Sequence, residues 1–200
     1  MVKQETRKGL LTTSNMVKIA MLSAVSYVLM LFEFPLPGFP PFLQIDLSEI
    51  PVIVGAVAMG PLCGIFIELV KNILHLFNST TFGVGELANF CVGISLVVPI
   101  GLFYKKKKDI SHYVLGSVIG TILMIIVACI FNYYIMLPLF AKLSGVEVQA
   151  FADMAGALNS RVKDVRTLIV FAFAPFNFIK AVVVSIIGYF VCKVLKPIFK

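Results

Sequence analysis

The sequence predicts an all-α integral membrane protein with six transmembrane helices, and three observations carry that prediction. The chain is 60% hydrophobic with only 14% charged residues, and its mean hydropathy is +1.00. A soluble fold of 200 residues could not hide so much apolar surface in one core. The apolar residues run in stretches of helix length, leaving room for about six spans of roughly 20 residues with short connections. Finally, the basic residues flank those stretches, which is how a membrane protein sets its orientation. The expected architecture is one membrane domain over residues 1–200, with both termini cytoplasmic and an ordered outer loop between helices 1 and 2.

The basic clusters are Lys3, Arg7, Lys8 and Lys18, then Lys105 to Lys108, then Lys193, Lys196 and Lys200. The net charge of +7 is thus distributed as topology determinants, with anionic lipid headgroups as counter-charge and no nucleic acid as partner. Cys63, Cys91, Cys129 and Cys192 stand singly in apolar runs, with no C-x-x-C pair to suggest a metal or a disulfide framework. They read as small buried hydrophobes.

In chain order, residues 1–15 form a polar, basic lead-in on the cytoplasmic side. Span one covers 16–34; it is long for a signal peptide and lacks a small-residue cleavage site. Within it Ala20 and Ala24 make a small-xxx-small pair that lets another helix approach closely, most simply for internal packing. Residues 35–45 hold four prolines and one glycine, cannot continue a helix and read as a semi-rigid loop. Phe39, Phe42 and Leu43 suit that loop to be a lid, Gln44 and Asp46 close it, and Asp46 to Glu49 looks like a helix start. Short span two (47–59) turns at Gly60-Pro61 into span three (62–77). There Glu68, Lys71, Asn72 and His75 fall at i, i+3, i+4 and i+7 as one polar stripe, with Glu68 and Lys71 expected to neutralise each other. Span four (84–104) carries Glu86 and Asn89 on one face, and Lys105 to Lys108 mark the cytoplasm. Span five (111–138) carries Asn132 near its outer end, and the long connection at 139–166 is expected to hold a short amphipathic helix around Val146 to Leu158. Span six (168–195) carries Asn177 and Lys180 on one face. A lysine at that depth costs at least about 2.5–3.5 kcal/mol on insertion scales, so something must compensate it; a pocket for a polar ligand would do so.

The chain has no G-x-x-x-x-G-K-[ST], no H-E-x-x-H and no G-x-S-x-G. Its two histidines, His75 and His112, fall at opposite ends of the expected topology, so no catalytic or metal-binding set is assigned. What remains is a group of amides and one cation converging on the outer half of the bundle. Asn89, Asn132, Asn177 and Lys180 come from three spans, with Gln44 and Asp46 above them. Amides offer both donors and an acceptor, which suits a neutral heterocycle with alternating N–H and C=O groups. Each amide alone reads as interhelical glue; the set reads as a pocket.

Several stretches carry a resemblance: Phe42-Leu-Gln-Ile-Asp-Leu-Ser-Glu-Ile-Pro51, Gly60-Pro61, Ile67-Glu-Leu-Val-Lys-Asn72, Gly85-Glu-Leu-Ala-Asn-Phe90, Asn132-Tyr-Tyr and Pro175-Phe-Asn-Phe-Ile-Lys180. On these the chain resembles the substrate-binding S components of energy-coupling-factor vitamin importers, most closely the riboflavin-specific ones. The resemblance spans nearly the whole chain. It implies a non-catalytic protein of the bacterial cell membrane, with riboflavin as transported substrate rather than cofactor. Its implied partners are a transmembrane coupling subunit and two ATPase subunits. Asn132, Asn177 and Lys180 match residues that hydrogen-bond riboflavin, Leu43, Gln44 and Asp46 match the lid, and Asn89 is a further member. Ala20 and Ala24 match the surface that docks the coupling subunit, which replaces the internal-packing reading. The near alternative is another vitamin (thiamine, pantothenate or a folate). From other classes come a lipid-modifying membrane enzyme, with only Glu68, Lys71 and His75 to use, and a stand-alone facilitator.

Overall fold

The computed structural model describes residues 12–195. Lys3, Arg7, Lys8, Lys196, Lys200 and the lead-in before Thr12 therefore lie outside the described residues. Among the described residues, four helices are long and apolar enough to cross a membrane: α1 (Thr13–Met30), α4 (Val84–Lys106), α5 (Ile110–Ser144) and α7 (Val165–Leu195). Shorter helices lie between them: α2 (Glu49–Met59), α3 (Pro61–His75) and α6 (Val148–Gly156).

Helix α1 starts at Thr13, earlier than expected, because the Thr12 hydroxyl accepts the Asn15 N–H at 3.3 Å and caps the first turn. It also stops earlier, at Met30, where the chain turns into a small hairpin. Strands β1 (Phe34–Pro35) and β2 (Gln44–Ile45) pair antiparallel, with Phe34 opposite Ile45 and Pro35 opposite Gln44. In a protein that is otherwise helical, this short hairpin orders the loop expected between the first two helices. The reason is local: a residue before proline is pushed to extended backbone, and proline on a two-stranded edge forfeits no ladder bond it needs.

The Gly60-Pro61 turn joins α2 to α3. Gly60 sits at φ +106°, a backbone that only glycine adopts freely, and Pro61 opens α3 at the position where a missing N–H costs nothing. Helix α5 runs through Pro138 instead of ending there. A π turn over Asn132–Met136, in which the Leu137 N–H reaches the Asn132 carbonyl, widens the helix just before the proline ring and makes room for it. At 1.5 Å per residue the 35 residues of α5 extend about 50 Å, well past a hydrocarbon core of roughly 30 Å. Helix α7 begins at Val165, fixed by a capping box between Asp164 and Thr167, and carries a second π turn over Ile169–Phe173.

Two apolar clusters divide the bundle. One fills the half nearer Lys105 with Ile53, Ile67, Leu96, Ile100, Met124 and Val184. The other gathers the hairpin, α6, the C-terminal part of α5 and the N-terminal part of α7 around Leu43, Phe151, Leu168, Phe173 and Phe176. Helix α6 packs through Phe151, Ala152 and Ala155, one stripe of an amphipathic helix, inside the range expected for it. Outward-facing Val17, Met21, Val25, Val118, Ile122, Ile186 and Phe190 present the apolar surface a bilayer would cover.

Helices α4 and α5 touch backbone to backbone. A Cβ placed at Gly120 would lie 2.5 Å from the Leu96 carbonyl oxygen, and one at Gly116 would lie 2.8 Å from the Ile100 Cα. Gly120→Val should therefore force these helices apart and destabilise the fold by about 1–3 kcal/mol. A thermal melt in detergent checks this, with lipid-facing Val118→Leu expected to leave the midpoint unchanged.

Candidate functional site

A cavity of about 320 Å³ opens between the hairpin and the neighbouring parts of α3, α4, α5 and α7, the size of a small-ligand site. Leu43, Gln44, Asp46, Asn89, Asn132, Asn177 and Lys180 all line it. One loop and three helices far apart in sequence thus bring seven expected residues to one place. Ala20 and Ala24 are elsewhere, exposed on the outward face of α1.

The Lys180 ammonium meets the Asp46 carboxylate at 2.9 Å, with both side chains less than a tenth exposed. The sequence reading assigned the compensation of Lys180 to a ligand; the protein's own Asp46 supplies it. Burial works to raise the Asp46 carboxyl, but Lys180, Lys71 and the Ser48 hydrogen bond outweigh it and hold the group well below the usual carboxylate range. Ser48 donates its backbone N–H to Asp46 Oδ1 at 2.7 Å, which fixes the carboxylate at the start of α2.

Asn132 donates Nδ2 to the Ala128 carbonyl at 2.7 Å, and Asn177 donates Nδ2 to the Phe173 carbonyl at 2.8 Å. Asn132 opens one π turn and Asn177 follows the other, and the Ala128 carbonyl also accepts the Asn132 backbone N–H. Among the described residues neither side-chain carbonyl accepts a hydrogen bond, so each remains available to the cavity. Aromatic rings wall the same side: Phe42 lies 5.6 Å from Phe151 and 6.1 Å from Phe173 between centroids.

The facing wall is more polar. His75 Nδ1 and Glu86 Oε1 are 2.9 Å apart, and Glu86 Oε2 accepts the hydroxyls of Ser79 at 2.9 Å and Thr81 at 3.2 Å. Glu33, in the loop after α1, also lines the cavity. Although Glu33 remains partly exposed, its partial burial raises its carboxyl from the ordinary value, with His75 and Lys180 pulling the other way. Asn89 reaches the cavity from α4 and donates to Asn72 Oδ1 at 3.2 Å. No group of three metal-ligating His, Cys, Asp or Glu side chains occurs among the described residues.

A model of ECF transporter substrate-specific components matches residues 14–192. The chain belongs to that family. This S component is 37% identical to the riboflavin transporter RibU of Staphylococcus aureus (strain TCH60) over 173 residues, covering 86% of this chain and 85% of that one. It is 33% identical to the riboflavin transporter FmnP of Bacillus subtilis (strain 168), covering 92% of each. A solved structure described as the S component of a bacterial ECF transporter superposes with a TM-score of 0.74 at 32% identity, covering 94% of this chain and 98% of that one.

Sequence reasoning about the S component missed Glu49, which it took for a helix start. Lys71 pairs with Glu49 at 2.9 Å as well as with Glu68 at 2.8 Å, all fully buried. Glu33 and the His75–Glu86 contact were also missed as cavity groups. Glu86 offered a signal, since it shares a helical face with Asn89; Glu33 offered none.

The Asp46–Lys180 pair yields a direct test. Asp46→Asn and Lys180→Met should each destabilise the protein by about 3–5 kcal/mol by stranding a buried charge, and the double variant should recover part of that loss. Thermal melts of the three variants check it. Because the Asp46 carboxyl is lowered on folding, its contribution is present above the ordinary value of 3.8 and is lost as pH falls through the lowered one.

Proposed function

We propose that this S component binds riboflavin from the outside of the bacterial cell membrane. A transmembrane coupling subunit and two ATPase subunits then complete an ATP-driven importer around it. The observation that carries this reading is the cavity, where two free amide carbonyls, an ammonium group and a wall of phenylalanines face one another. A flavin ring is flat, apolar on its faces and edged with alternating N–H and C=O groups, which is the complement of such a lining. The names of the relatives support the choice among vitamins.

In this reading Asn132, Asn177 and Lys180 hydrogen-bond the ring edge, and Asn89 contributes from α4. Leu43, Gln44 and Asp46 form the loop that closes over the ring. The six spans are α1 to α5 and α7, in one membrane domain, with both termini cytoplasmic. Lys105 and Lys106, in the last turn of α4, favour that orientation. The 11 and 15 residues of α2 and α3 fall short of a full crossing, and they lie where the bundle is most buried. The exposed Ala20 and Ala24 offer the coupling subunit a close helix–helix approach.

Protein purified in detergent from riboflavin-replete cells should show flavin absorbance bands near one equivalent. Titration of riboflavin into flavin-free protein should quench flavin fluorescence, and Asn177→Ala should weaken the affinity at least about tenfold by removing a buried hydrogen-bond partner. The absence of both bands and quenching in the parent protein would remove riboflavin as the substrate.

A further inference from the structure

The two walls of the cavity differ in chemistry, and their charges do not balance. Its lining holds three carboxylates, Glu33, Asp46 and Glu86, and a single lysine or arginine, Lys180. Lys180 is bound to Asp46 at 2.9 Å. Glu86 is occupied by His75, Ser79 and Thr81, at 2.9, 2.9 and 3.2 Å. Behind the lining the same excess continues, with Glu49 and Glu68 sharing Lys71. Glu33 alone of the three lining carboxylates makes no hydrogen bond or ion pair among the described residues. It stands two residues beyond Leu31, the C-cap of α1, where the helix carbonyl ends add further negative potential.

Glu33, Thr80 and Thr81 line the same cavity as the phenylalanines and amides, with Glu33 exposed at its rim, so the atoms of a ligand that extend beyond its ring have these polar groups within the same space. An ionised carboxylate accepts hydrogen bonds only, through about four lone-pair sites, and bonds to it from hydroxyl groups are charge-assisted. A phosphate monoester brings about −1.5 to −2 charges and no donor of comparable strength. On the reading that the cavity binds a flavin, we propose that Glu33 is a specificity residue. Its carboxylate accepts the hydroxyls of the flavin's polyol tail and rejects the same flavin carrying a terminal phosphate.

The experiment compares three probes on flavin-free protein in detergent: riboflavin, riboflavin 5′-phosphate, and lumiflavin, which has the ring without the tail. The parent should bind the phosphate ester at least about tenfold more weakly than riboflavin, the scale expected for like charges in a partly screened site. Added salt should narrow that gap. Glu33→Gln should bring the two affinities to within about threefold by tightening the ester, because it removes one unit of the repulsion. Lumiflavin affinity should be the same in both proteins, which also verifies that the variant is folded with its ring site intact. Equal affinity of the parent for riboflavin and its phosphate would overturn the proposal, as would a ratio unchanged by Glu33→Gln. A parent that binds none of the three probes would overturn the flavin reading and this inference with it.

Discussion

The contact between Asp46 and Lys180 closes the hairpin half of the molecule. It joins residues 134 positions apart, one in the loop between β2 and α2 and one in the middle of α7. Neither charge is tolerable alone at that burial, so loop and helix must form together. From Asp46 the constraint passes to Ser48, and the Lys71 ammonium, 3.1 Å from Ser48 Oγ, carries it on to Glu49 and Glu68. The Ser26 hydroxyl donates to the Ser48 carbonyl and ties α1 into the same node. A proline-rich loop is thereby held over the cavity by buried electrostatics rather than by an extensive sheet.

Packing and polarity are divided between the two halves of the bundle. Toward Lys105 the helices meet through small and branched side chains, with Tyr113 and Ser185 linked at 2.8 Å among them. Toward the hairpin they meet through charged pairs, amides and phenylalanines. The glycine contacts of α4 and α5 fix one rigid wall of the bundle, while the two π turns re-aim Asn132 and Asn177 on the helices that bear them. A regular α-helix at either place would turn the asparagine away from its present direction.

The helices and the convergence of polar groups were legible in the sequence because both are local or periodic signals. Apolar runs, proline and glycine punctuation and three-residue spacings are written along the chain, and all seven expected lining residues meet in the cavity. What was not legible depends on partners distant in sequence. Nothing near Lys180 announces Asp46, and Glu49 looks like an ordinary helix-start acid until α3 packs Lys71 against it. The hairpin was hidden because two-residue strands lack the alternation that marks a strand. The π turns were hidden because the residues that form them are ordinary helix formers, and Pro138 suggested an end where the helix continues.

The apolar cluster beneath the cavity has a consequence for how cargo can travel. Ile53, Ile67, Leu96, Ile100 and Ala181 are entirely excluded from solvent and pack between the cavity floor and the Lys105 end, around the Tyr113–Ser185 hydrogen bond. The molecule is therefore a cup with a solid base rather than a pipe. Cargo held in the cup rests against this packed apolar base rather than at the mouth of a bore.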